Sequence, residues 1–155
     1  MTLRVFLASF FIFTACSHRL PRKSAEPAYR LVPELPEDLK KLEKAADRSR
    51  AEMEIDFETG HFKGRYLKHE FTGSYAIKHV SAGFVKGFFY RISLDSLNRP
   101  EHRNAEEEAF FGKLAEAKRL YVAPDKPGDP AYTVLEISNG KPEGKLTFVK
   151  INLRD

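Results

Sequence analysis

Histidines, a row of carboxylates and a single cysteine are the side chains through which this chain could do chemistry. The histidines are His18, His61, His69, His79 and His102. A metal site needs three or four ligands that converge on one point. His61, His69 and His79 instead fall in or beside strand-like segments, and are expected near separate hairpin turns. His102 and Glu106 stand four apart at a helix start, a spacing that metals use, but an Asn104 cap accounts for the same stretch. Lys68-His69 and Lys78-His79 echo each other and read as polar strand ends. Glu52, Glu54, Asp56 and Glu58 alternate with apolar residues. Such a row suits a bound cation or glycoside chemistry. With His61, Lys63 and Arg65 expected opposite, it reads as a solvated, charge-paired sheet face. The sequence carries no glycine-rich phosphate loop, nucleophile elbow or zinc-helix motif. No catalytic, metal or cofactor-binding residue is assigned, and the domain reads as a non-enzyme.

The cysteine is Cys16. Ahead of it come one cation, Arg4, then an apolar run over residues 5–13 (VFLASFFIF), then Thr14 and Ala15. A basic start, an apolar segment of about 7–15 residues and small residues before a cut describe a secretory signal. The run is too short for a spanning helix, which needs about 20 apolar residues. With cysteine directly after the small pair, Phe13-Thr14-Ala15-Cys16 resembles the lipobox of bacterial lipoproteins, Phe13 standing where that class carries Leu. The resemblance covers residues 1–16, and no family is recognised for the rest. It implies cleavage before Cys16, diacylglycerol on the Cys16 thiol and acylation of the freed amine. A membrane is then a partner, through acylated Cys16. Ser17 resembles the sorting pattern of outer-membrane lipoproteins. The expected location is therefore the cell envelope, at the outer membrane and facing the periplasm.

Composition narrows the partners further. The chain has 26 basic and 22 acidic residues, a formal charge of +4, and Arg4 leaves with the signal. That mild excess argues against nucleic acid and permits loose attraction to anionic headgroups. No cysteine follows Cys16, so no internal disulfide can form. Thirteen Phe and six Tyr supply bulk for a core. The chain divides into a signal peptide (1–15), a lipid-anchored tether (16–35) and one domain (36–155). The tether has Pro21, Pro27 and Pro33 at even spacing and no apolar period, which suits an extended spacer.

The domain's elements follow from periodicity. Residues 36–50 read as a helix, with Pro36, Glu37 and Asp38 at its start and Leu39, Leu42 and Ala46 as a thin stripe. Strands are expected at 52–58, 62–66, 71–75 and 84–94, where F-x-G-x-Y occurs at Phe62-Lys-Gly64-Arg-Tyr66 and again from Phe71. The expected register sets Gly64 opposite Tyr75, Gly73 opposite Tyr66, Asp56 opposite Lys63 and Glu54 opposite Arg65. A second helix is capped by Asn104 and Glu107 and striped by Phe110, Leu114, Ala117 and Tyr121, closing at Lys118 and Arg119. A short strand at 120–123, a loop at 124–130 and a hairpin of 131–138 with 145–153 complete the chain.

The fold class is α+β: an antiparallel four-strand meander plus a C-terminal hairpin, covered on one face by two helices. The alternative is a small, partly closed β-barrel with helices at its mouth, since Gly64, Gly73 and Gly87 permit strong coiling. The functional reading is a lipid-anchored envelope protein acting as a non-enzymatic accessory or protein-binding module. It would meet an envelope protein through the sheet edge or the 124–130 loop. The alternative is a binder of a small apolar ligand or lipid in a cavity between sheet and helices. A sealed aromatic face favours the first, and an open pocket of roughly several hundred Å³ favours the second.

Overall fold

Apolar residues recur at every second position along most of the domain, and that period builds strands. A computed structural model describes residues 28–80, 87–101, 104–126 and 130–152. Cys16 lies outside the described residues, as do His18, His102 and the turn expected near residues 81–83. The strands are β1 (Tyr29–Val32), β2 (Ala51–Ile55), β3 (His61–Tyr66), β4 (His69–Val80), β5 (Phe88–Asn98), β6 (Arg119–Pro124), β7 (Tyr132–Ser138) and β8 (Lys145–Ile151). Each pairs antiparallel with its sequence neighbour, and β1 also pairs with β8, so the sheet is a closed eight-stranded barrel.

Closure corrects the expected α+β meander with its separate hairpin; the barrel alternative is the one that fits. The physical reason is β1, four residues lying inside the stretch read as tether. On one side Tyr29 faces Met53 and Arg30 faces Glu52. On the other, Arg30, Leu31 and Val32 face Val149, Phe148 and Thr147. A strand this short, flanked by Pro27 and Pro33, shows too little alternation to be read from sequence.

Alternation then sorts the residues. Met53, Phe62, Tyr66, Phe71, Tyr75, Ile92, Leu120, Leu135, Ile137 and Phe148 are buried in one core. Outside, Arg65 meets Glu52 at 2.8 Å and Lys63 meets Glu54 at 3.0 Å. An apolar inside and a charged outside reverse the pattern of membrane-spanning barrels.

The expected faces hold, but the register slips. Glu54 faces Lys63, and Glu52 faces Arg65. Gly64 faces Phe71 and Gly73 faces Phe62, rather than Tyr75 and Tyr66. The turns cause this. Between β2 and β3, the Asp56 carboxylate accepts from the amides of Glu58 (2.8 Å) and Thr59 (3.3 Å), and Gly60 turns at φ 77°. Between β3 and β4 the turn is Leu67-Lys68, ahead of the expected His69-Glu70, with Tyr66 facing His69. An even slip keeps every side chain on its own face. Rings still cover the glycines: a Cβ on Gly73 would lie 2.3 Å from the Phe62 ring, and one on Gly64 2.5 Å from the Phe71 ring.

The two helices do different jobs. Helix α1 (Leu39–Asp47) is capped by the Asp38 side chain. It lays Leu42 and Ala46 on Val32 and Val149, on the outside of the barrel. Helix α2 (Ala105–Glu116) is capped by Asn104, which accepts from the Glu107 amide at 2.9 Å. Its Phe110, Phe111 and Leu114 join the inner core. Phe110 lies 4.8 Å from Tyr66 between ring centroids, and Phe111 meets Phe71 edge-on at 5.4 Å. α2 therefore plugs one end of the barrel. It stops before Lys118 and Arg119, because the Lys118 amide donates to Ser138 and Arg119 opens β6.

Candidate functional site

Tyr75, Phe71, Phe111, Phe148, Met53, Leu114, Leu120, Leu135 and Ile137 are all fully buried, so most of the aromatic face is core, with Phe88 left exposed. Clefts open at the two barrel ends and also along the outer wall, where one of about 840 Å³ is lined by Arg30, Asp47, Arg50, Arg65 and Leu67.

At the helical end is a cleft of about 750 Å³ between both helices and the barrel rim. Leu31, Tyr66 and Leu146, inward-facing residues at strand ends, form its floor with the outward-facing Val32 and Thr147. Ala45, Arg48, Ser49 and Arg50, from α1 and its exit, make one wall. Lys113 of α2 makes another. Pro142 and Glu143, from a single 3-10 turn (Pro142–Gly144), and Lys145 make the third. The volume lies within the roughly 300–1,000 Å³ of small-molecule sites, and an apolar floor beneath a few polar groups suits an amphiphile. Four cations stand around it against one acid, Glu143. Arg50 is paired with Glu106, and the Lys145 ammonium donates to Glu136 at 3.2 Å.

The opposite end carries a second cavity of about 540 Å³, lined by Tyr29, Ile55, Phe57 and Phe62 together with Glu54, Asp56, His61, Lys63 and Lys150. Nearby, Phe57 stacks on Tyr90 at 5.8 Å and His79 meets Tyr90 edge-on at 5.5 Å, with Phe88 57% exposed. Lys150 sits 5.3 Å above the Tyr29 ring. The lining of this mouth balances two carboxylates, Glu54 and Asp56, with Lys63 and Lys150, whereas the cleft has an excess of cations.

The side chains singled out for chemistry are kept apart. His61 begins β3, His69 begins β4 and His79 lies toward the end of β4. Among the described residues, no group of three or more His, Cys, Asp and Glu can hold a metal ion. The acid row is a solvated face, as its spacing implied, with Glu52 and Glu54 in ion pairs. Asp56 serves its turn, and the Glu58 and Thr59 amides hold its carboxyl below the usual carboxylate range. Glu106 spends its charge on Arg50.

Two features escaped the sequence reading. Glu107, a capping partner by its spacing from Asn104, is 4% exposed, with its carboxylate 3.5 Å from His69 Nδ1. Its position one turn before Phe110 and Phe111 was the available signal. The cleft draws Leu31 and Val32 from the supposed tether and Arg48 and Lys113 from helix ends, and no local motif joins them.

The chain matches no protein-family model, and no curated protein or solved structure is significantly similar to it. Among the described residues, no helix is long and apolar enough to cross a membrane.

Proposed function

We propose that this protein binds a small apolar or amphiphilic ligand of lipid type in the cleft between the barrel and its two helices, while an acyl group on Cys16 holds it at the cell envelope. The observation that carries the reading is the cleft itself: about 750 Å³, floored by Leu31, Val32, Tyr66 and Leu146, beside a core of fully buried side chains. A packed barrel needs no such opening for its own stability, and buried apolar floor is what a hydrocarbon chain would cover. Closure also weakens the rival reading of a partner added at a sheet edge, because each of the eight strands is paired on both sides for at least part of its length.

Equilibrium dialysis of the full-length protein against 1-decanol tests the reading. Saturable one-site binding is expected. Ala45→Trp, which fills the α1 wall, is expected to abolish it while the melting temperature shows the fold intact. Undiminished binding by that variant would take the ligand out of the cleft.

A further inference from the structure

Resting on the reading of the cleft as a ligand site, we infer that its ligand carries an anionic head, a carboxylate or phosphate monoester, held by Arg48 and Lys113. Around the cleft, Arg50 and Lys145 already have carboxylate partners in Glu106 and Glu136. Arg48 and Lys113 form no ion pair among the described residues, and Glu143, the one acid in the lining, pairs with neither. Lys113 is half-buried and Arg48 exposed, both on the lining of the cleft. An ammonium so placed, with apolar surface on one side, is best matched by an anion that brings its own apolar tail.

A simpler origin exists for each cation alone. Arg48 is the C-cap of α1, and Lys113 stands in the last turn of α2, where the helix dipole favours positive charge. That preference places one cation near each helix end. It gives no reason for the two ends to meet across an apolar floor formed by Leu31, Tyr66 and Leu146. Arg48 presents a flat fork suited to two oxygens, and Lys113 a point charge, a combination that fits an oxyanion better than a neutral hydroxyl.

The test compares three ligands with one tail on full-length Cys16→Ser protein at low salt: 1-decanol, decanoate and decyl phosphate. The anions are expected to bind about tenfold tighter than decanol or better, as charge-assisted bonds do. Adding salt should erode that preference. The pair Arg48→Gln and Lys113→Gln should remove it, so that neither anion binds tighter than decanol. The tighter of the two anions assigns the head. Equal binding of decanol and both anions, or a preference that survives the double substitution, overturns the anionic head and leaves the cleft standing. If none of the three binds, the cleft reading itself fails. Salt dependence in the protein with Arg48 and Lys113 intact keeps the inference testable should the double variant not fold.

Discussion

Tyr75 ties the plug to the wall. Its ring lies in the barrel core, 4.8 Å from Phe62 between centroids, and its hydroxyl donates to the Leu114 carbonyl at 2.7 Å. That carbonyl is in the last turn of α2, where no helical amide remains to meet it. Burial pushes the phenol well above its usual pKa, so it stays a neutral donor. Tyr75→Phe keeps the ring and orphans the carbonyl, which should cost about 1–3 kcal/mol in urea unfolding. Asp56 gives a pH signature of opposite placement, at the turn and in water. Its carboxyl titrates lower in the folded chain than in the unfolded one. Its contribution is therefore complete above the unfolded pKa and is lost as pH falls through the folded value. Asp56→Asn should be less stable than the parent near neutrality, and the gap should close in acid. An equal gap at every pH would mean that the charge is idle.

At the scale of elements, the sequence exposes what is long and periodic. The Asn104 cap, the Phe110 and Leu114 stripe and the faces of β2 to β5 all follow from spacing alone. Register does not, because it is fixed by turns whose geometry depends on one or two residues, here Leu67 at φ 52° and Gly60 at φ 77°. β1 was illegible for a different reason. Four residues give two inward positions, Tyr29 and Leu31, and a spacer rich in proline offers as many by chance. Yet β1 is the strand that closes the barrel, paired on both sides. Arg30→Pro should therefore destabilise the fold by about 1–3 kcal/mol, through a lost ladder bond and the partner it orphans. A proline tolerated there without loss would return 29–32 to the tether.

The whole molecule is a filled barrel with charge on its outside, one helix inside an end and one helix against a wall. This division explains why the site is not legible in the sequence. An aromatic face reads as core or cavity, and only the closed topology decides that most of it is core. The cleft residues come from β1, α1, β3, α2 and β8, and only the finished topology assembles them. The measurement that tests this account most directly is the set of intermolecular NOEs between a saturating decyl ligand and the protein. The account predicts cross-peaks from the decyl chain to Leu31, Tyr66 and Leu146, and none to Phe57 or Tyr90 at the opposite end. Cross-peaks to Phe57 and Tyr90 instead would place the ligand in the other mouth and contradict the cleft as the site.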